Sequence, residues 1–458
     1  LSGGEAQRIH LASALGSPLT NTLYVLDEPT VGLHAADTHR LLDILHALTA
    51  KGNTVVCVEH EPEIIEGADR VVDLGPGAGE SGGRVLFSGT MREARKADVA
   101  DSKTLQWLFA DVKKGVRSKK KKRKVKGRIV LKGVHEHNLK SIDVSFPLGQ
   151  FTCVTGVSGS GKSSLVIDVL YRVISKKHRS ASGVGLDFFM LEGSIDRVLL
   201  VDQSPIGTTP RSNPITYIKG FSFIREIFAS QKEAMVRGYL PGRFSFNKPG
   251  GRCPKCQGMG FRRVEMHFMA DVFVPCEQCE GKRYNRETLG ILYRGKNISE
   301  VLDMTVDEAL MFFSDFPQLG EKLWMLSRVG LGYLKLGQPS NTLSGGEAQR
   351  IKIARELAES RGQENLYIMD EPTTGLHMSD IQKLLDVIDE LVDRGHTVIV
   401  IEHNMEVIKS ADYIIDLGPG GGDNGGRVVA RGAPEKIMRV KSSLTGKYLK
   451  KYISRYGG

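Results

Sequence analysis

Two kinds of apolar patterning alternate along this chain. Short apolar runs, two of them ending in an acid, appear as LYVLD (residues 23–27), TVVCV (54–58), FTCVTGV (151–157), LYIMD (366–370) and TVIVI (397–401). Runs of that length, apolar at consecutive positions, predict strands buried on both faces of a parallel sheet. Between them the spacing turns helical, with Leu41, Leu42, Leu45 and Leu48 in residues 35–50 and Leu384, Leu385, Ile388 and Leu391 in residues 378–394. Strands alternating with helices predict an α/β fold with parallel-sheet cores. No run approaches the roughly 18 consecutive apolar residues that a membrane span requires, so a membrane role is not expected.

The pattern occurs twice. LSGGEAQRI stands at residues 1–9 and again at 343–351, LYVLDEPTVGLH at 23–34 matches LYIMDEPTTGLH at 366–377, and the match continues from 54–85 to 397–428. A period of about 343 residues is far too long for a solenoid repeat and marks a duplicated domain. Only the second copy has a phosphate-loop sequence and cysteine pairs before it, in residues 129–342, so the first is read as lacking its opening half. The expected organisation is residues 1–95 as the remainder of one domain, 96–128 as a linker, and 129–458 as a second domain. An inserted cysteine module is expected at about 245–290.

The chemistry begins with GVSGSGKSS at residues 156–164, which fits G-x-x-x-x-G-K-[ST] between a predicted strand and a predicted helix. Gly156, Ser158, Gly159, Ser160 and Gly161 leave backbone N–H groups free to converge on phosphate oxygens, and the helix N-terminus adds positive potential there. Lys162 should reach the β- and γ-phosphates of ATP, Ser163 should ligate Mg²⁺, and Ser164 continues the cradle. Asp370, at a strand end, is the candidate second Mg²⁺ holder. Glu371 is the candidate group for polarising the attacking water.

LSGGEAQR resembles the signature sequence of ABC-type ATPases, in which the signature of one nucleotide domain caps the γ-phosphate held by another. By the same resemblance Gln203 is the Q-loop glutamine and His403 the switch histidine. With one phosphate loop and two signatures, Lys162 is expected to pair with Ser2, Gly3 and Gly4 in one composite ATP site. Asp27, Glu28, His60 and Ser344 would belong to a second site whose phosphate loop this sequence does not contain.

Cys253, Cys256, Cys276 and Cys279 form C-x2-C-x19-C-x2-C, the spacing of a closed four-thiolate Zn²⁺ site. Residues 261–275 between the pairs read as a β-hairpin stapled at its base by the metal. Arg262, Arg263 and His267 flank an apolar tip, Phe268 and Met269, a combination suited to a distorted DNA duplex. Cys57 and Cys153 lie in apolar runs and read as core thiols, and the cysteine usage as a whole fits a reducing cytoplasm.

Charge changes the picture less than its total implies. The net charge is +10, but residues 112–128 alone hold eleven Lys and Arg and no acid, and the remainder carries about −1. The excess is a local run, read as a solvated linker able to touch DNA phosphates.

The order of parts narrows the resemblance. VDQSPIGTTPRSNPITY (201–217), PGRFSFNKPGGRCPKCQGMG (241–260) and CEQCEGKRYNRETL (276–289), set between the Q-loop and the second signature, are similar to the UvrA family of DNA-repair excinuclease proteins over residues 1–95 and 129–450. The resemblance implies a dimeric, cytoplasmic ATPase that scans double-stranded DNA for damage in nucleotide excision repair. It implies also that the ATPase loads the excinuclease's second component, UvrB, and has no nuclease activity of its own. The family's first phosphate loop, first zinc module and UvrB-binding domain have no counterpart in this sequence. Two alternatives remain open on the residues alone: an ABC-type ATPase of transport or translation type, and a DNA-binding fragment without turnover.

Overall fold

The computed structural model describes residues 13, 20–77, 82–97, 100–109, 123–175, 184–207, 209–264, 266, 272–359 and 363–456. The chain divides into two compact units, residues 1–202 with 360–458, and residues 203–359.

The first unit is built on a six-stranded sheet. In spatial order its strands are Arg427–Gly432, Tyr413–Gly418, Phe151–Gly156, Thr397–Ile401, Leu366–Asp370 and Val198–Val201. All neighbours are parallel except the first pair, which is antiparallel. Phe151–Gly156 and Thr397–Ile401 are buried at every position, as their uninterrupted apolar sequence requires of strands covered on both faces. Helix Met378–Asp393 buries Ile381, Leu384, Leu385, Ile388 and Leu391, the 3.6-residue stripe legible in the sequence. A three-stranded antiparallel sheet of Ile142–Pro147, Arg128–Val134 and Phe188–Glu192 completes the second copy's part of this unit.

The first copy repeats part of this plan with the same register. Leu23 to Asp27 lie opposite Thr54 to Val58, as Leu366 to Asp370 lie opposite Thr397 to Ile401. Val71–Gly75 pairs with Arg84–Gly89 and shifts register between Asp73 and Leu74, as Tyr413–Gly418 pairs with its partner and shifts between Asp416 and Leu417. Burial does not repeat. Leu23, Val25, Val56, Val58, Val72 and Leu74 are exposed, whereas Leu366, Ile368, Ile399, Ile401, Ile415 and Leu417 are buried. The cause is the strand Phe151–Gly156, which joins the two strand pairs of the second copy into one sheet. Among the described residues no strand takes that place in the first copy. The sequence reading of LYVLD and TVVCV as parallel strands holds, but their two-faced burial does not, and Cys57 is half-buried where Cys153 is fully buried.

Residues 96–128 differ from the expected linker. Lys103–Phe109 is a helix whose Leu105 and Leu108 pack with Ile65, Ala94 and Met378, so the first copy's folded part extends at least to Phe109. Of the basic run, residues 112–122 lie outside the described residues. Arg123 bonds Asp389, Asp393 and Asp412 at 3.1, 2.9 and 2.9 Å, which fastens the end of the run to the second copy.

The second unit, wider than the inserted module expected at 245–290, combines short helices with one two-stranded antiparallel hairpin, Phe261–Val264 with Val272–Pro275. Helix Gly345–Glu359 opens at the second signature. Ser344 Oγ accepts from the Glu347 N–H at 3.2 Å and Glu347 Oε2 accepts from the Ser344 N–H at 2.8 Å, a reciprocal cap written into SGGE as S-x-x-E.

Candidate functional site

Gly156 ends the central strand at a φ of 138°, and a Cβ there would stand 2.1 Å from the Leu417 carbonyl oxygen, so only glycine lets the chain leave the sheet at this point. The loop that follows turns into a helix wound as a π-helix over Ser164–Tyr171 before continuing as an α-helix to Ser175. Lys162 is 7% exposed and its Nζ donates to the carbonyls of Gly156 and Val157, both at 3.0 Å. Burial holds its pKa down to about 8, against the pull of Glu371 and Asp370. The ammonium therefore sits curled on its own loop. Ser160 is buried and its Oγ has no hydrogen-bond partner among the described residues, while Ser163 is exposed at the helix start and Ser158 and Ser164 are half-buried.

Two strand ends deliver the acids. Asp370 closes Leu366–Asp370, and burial, then the negative charges of Glu371 and Glu402, raise its pKa to about 6. Glu371 follows with φ +45°, a left-handed conformation that non-glycine residues seldom take and that marks a backbone held for a purpose. His403 follows the end of Thr397–Ile401, and its Nε2 stands 3.4 Å from Glu371 Oε1. The buried Glu402 between them accepts from the backbone N–H groups of Thr373, His403 and Asn404 at 3.0, 2.7 and 3.0 Å. It ties the loop after Glu371 to the histidine loop. The sequence singles out only the adjacent His403, so the role of this carboxylate is visible in the structure alone.

The first copy brings matching parts to the same place. Glu28 also has a positive φ, 43°, and His60 Nε2 stands 3.4 Å from Glu28 Oε1. Hydrogen bonding to Glu28 raises the pKa of His60, and the reciprocal bond lowers that of Glu28. Glu59 accepts from Thr30, His60 and Glu61, as Glu402 does in the second copy. The two acidic loops face each other. A Cβ on Gly32 would lie 3.4 Å from Glu371 Oε1, and one on Gly375 would lie 3.7 Å from Glu28 Oε1. A cavity of about 120 Å³ lies between, lined by Glu28, Gly32, His60, Glu371, Gly375 and His403 among others.

Lys162, Asp370, Glu371 and His403 thus lie in the first unit, and the first copy's Glu28–His60 pair joins them there. Gln203 and Ser344 fall in the second unit, where a Cβ on Gly345 would meet the Gln203 Cβ at 3.3 Å. Ser2, Gly3 and Gly4, the expected partners of Lys162, lie outside the described residues.

The four cysteines form a second centre. Their sulfurs all lie within 4.8 Å of one another, with Cys253 to Cys276 at 4.0 Å and Cys256 to Cys279 at 3.6 Å. A tetrahedral zinc with Zn–S bonds of about 2.3 Å sets sulfurs about 3.8 Å apart, so the donor set fits the metal. Each C-x-x-C turn is followed by two left-handed residues, Gln257–Gly258 and Glu280–Gly281, with φ of 49° and 84° and of 51° and 83°. The Gly260 N–H donates to Cys256 Sγ at 3.3 Å, as thiolate ligands attract. Arg262 and Arg263 are exposed on the hairpin strand that leaves the centre, Arg262 Nη1 lying 3.9 Å from Glu277 Oε1. His267 and the apolar tip lie outside the described residues.

Comparison with known proteins gives a consistent answer. No family model matches the chain. It is 55% identical over 458 residues to UvrABC system protein A of Aquifex aeolicus (strain VF5), covering 99% of this chain and 49% of the relative. It is 53% identical to the same-named protein of Clostridium perfringens (strain 13 / Type A), covering 99% and 48%. The crystal structure of UvrA2 from Deinococcus radiodurans superposes on all of this chain and 54% of that one, with a TM-score of 0.91 and 47% identity. An archaeal ribosome recycling factor, aABCE1, solved in complex with a ribosomal stalk protein, shares the fold at a TM-score of 0.51 and 18% identity. The chain spans about half the length of the curated relatives it matches.

Proposed function

We propose that the chain belongs to the UvrABC system protein A family, to one member of which it is 55% identical over 458 residues, and that it is an ATP-hydrolysing, zinc-carrying module for recognising damaged duplex DNA in nucleotide excision repair. The observation that carries the ATPase reading is the meeting of Lys162, Asp370 and the Glu371–His403 pair at the ends of three adjacent strands of one sheet.

In this reading Lys162 exchanges the carbonyls of Gly156 and Val157 for the β- and γ-phosphates. Ser163 and Asp370 would hold Mg²⁺, which when bound would neutralise charge developing on the phosphates. Glu371 takes up the proton of the attacking water, and His403, beside it, fixes the carboxylate and lies close to the γ-phosphate. Ser2, Gly3 and Gly4 close the same site from the first signature, and Gln203 senses its contents. The two copies act as parts of two nucleotide-binding domains, as the repeat implies. The four thiolates would hold zinc, which when bound would fix the base of the hairpin, and Arg262, Arg263 and His267 are its candidate contacts to DNA phosphates. A UvrB partner and a homodimer belong to the same proposal at the level of the longer family members, as does a cytoplasmic setting. Among the described residues no helix is long and apolar enough to cross a membrane.

Purified chain should hydrolyse Mg-ATP, lose that activity in Lys162→Ala, and bind duplex DNA with an affinity that falls steeply as salt rises. Equal hydrolysis by wild type and Lys162→Ala would overturn the ATPase reading. Absence of duplex binding at low salt would overturn the DNA reading.

A further inference from the structure

The two copies exchange histidines through hydrogen bonds, one buried and one partly buried, that no sequence motif announced. His34 ends the first copy's DEPTVGLH loop, and His377 ends the second copy's DEPTTGLH loop. Each caps the helix that follows it through Nδ1, which accepts from the Ala36 N–H in one case and the Ser379 N–H in the other, both at 3.2 Å. Each reaches into the other copy through Nε2. His34 meets Thr445 Oγ1 at 3.1 Å and His377 meets Thr104 Oγ1 at 3.1 Å. Thr445 and Ser443 donate to Asp416 at 2.7 and 2.6 Å, and Thr104 and Ser102 donate to Asp73 at 2.8 and 2.6 Å. Because each threonine hydroxyl gives its proton to the aspartate, its oxygen must accept, which makes Nε2 of each histidine the donor.

One of the two clusters leads directly to the phosphate loop. Asp416 Oδ1 also accepts from Thr155 Oγ1 at 2.9 Å, and Thr155 is the residue before Gly156, whose carbonyl holds Lys162. Thr155, Asp416, Ser443, Thr445 and His34 are each at most 2% exposed. At the other end, His34 anchors the loop whose Gly32 lies against the Glu371 carboxylate, and its ring meets the His403 ring edge-on at 6.4 Å. A continuous buried chain therefore runs from the phosphate-loop strand of the second copy to a first-copy loop that touches the second copy's acid.

We propose that His34, held by Thr445 and Asp416, is a positioning residue that seats the first copy's loop against Glu371 and so sets the geometry for hydrolysis at the Lys162 site. The proposal rests on the ATPase reading and deepens it. Removing the Thr445 hydroxyl leaves Ser443 and Thr155 on Asp416, so the phosphate loop keeps its support while the loop bearing Gly32 loses its anchor. Nucleotide binding and hydrolysis should then separate.

The test measures kcat and KM for Mg-ATP, Mg-ADP affinity by calorimetry, and unfolding midpoints in the whole chain. Thr445→Val should lower kcat about tenfold and change Mg-ADP affinity less than about twofold. Thr445→Ser should restore kcat. His34→Asn keeps an acceptor for the Ala36 N–H and should show the same fall in kcat, and the double variant should be no worse than either single one, since both cut one link. A kcat unchanged in folded Thr445→Val and His34→Asn, with only the unfolding midpoint lowered, would overturn the proposal, as would additive losses in the double variant. Wild type that binds Mg-ADP but does not hydrolyse ATP would instead overturn the ATPase reading, and this proposal with it.

Discussion

His403 stands 3.4 Å from Glu371 through its Nε2, while the Glu371 backbone is held at φ +45°. A left-handed glutamate costs on the order of 1 kcal/mol or more, and the site retains it because that conformation turns the carboxylate away from the strand end and toward the histidine. Glu371→Gln keeps the shape and removes the carboxylate proposed as the base. Hydrolysis should fall by about 10²–10⁴-fold while nucleotide remains bound, so single-turnover assays should show ATP retained and uncleaved. Binding lost together with hydrolysis would assign Glu371 to holding the nucleotide instead.

The four-cysteine centre makes two glycines unequal. Gly258 and Gly281 share left-handed φ, but a Cβ on Gly258 would stand 1.9 Å from the Phe246 carbonyl oxygen, whereas one on Gly281 meets nothing within 4 Å. Gly281→Ala should therefore bind one zinc per chain and lose only about 1 kcal/mol of stability. Gly258→Ala should lose zinc or release it to a weak chelator. Metal analysis and chelator titration decide the matter, and equal retention by both variants would contradict the packing.

His34 carries a pH dependence of definite sign. Burial, then the charges of His403 and Lys162, lower its pKa from 6.5 to about 3, so the folded state keeps it neutral where the unfolded chain protonates it. Between those values the unfolded chain binds more protons, so stability rises with pH. The contribution is present above pH 6.5 and is lost as pH falls toward about 3. His34→Asn should flatten that part of the stability curve measured by denaturant unfolding. A slope identical to wild type would place the acid sensitivity elsewhere.

The repeat supplies its own control for burial. Val25 and Ile368 occupy the same place in the two copies, yet Val25 is 66% exposed and Ile368 is fully buried. Val25→Thr should change stability by no more than about 0.5 kcal/mol. Ile368→Thr should cost about 2–4 kcal/mol through a cavity and a buried hydroxyl. Chemical denaturation of the two variants side by side measures the difference.

Much of this was legible because strong local chemistry leaves strong local patterns. The phosphate loop, the C-x2-C pairs and the strands ending at Asp27 and Asp370 are each encoded within a few residues. The cap at Ser344 and Glu347 was also written plainly, as S-x-x-E, and was read only as part of the signature. What the sequence hid depends on distant partners. Nothing local in Leu23 or Val56 says that their neighbours differ from those of the buried copy, since the apolar pattern is the same. In the Asp416–Thr445–His34 chain, Thr445 and His34 stand 411 positions apart, and serine and threonine are too common to signal it. The helix Lys103–Phe109 adjoins a run of lysines, and the apolar partners of its Leu105 and Leu108 lie upstream, at Ile65 and Ala94, and far downstream, at Met378.

The four-cysteine cluster has a consequence for how this molecule can change over time. Four sulfurs clamp both feet of the nineteen-residue excursion between Cys256 and Cys276. Insertions, deletions or new side chains at its far end are thereby insulated from the body that carries it. Such a mounting lets selection rework the excursion without refolding its base, and sequence drift should concentrate there.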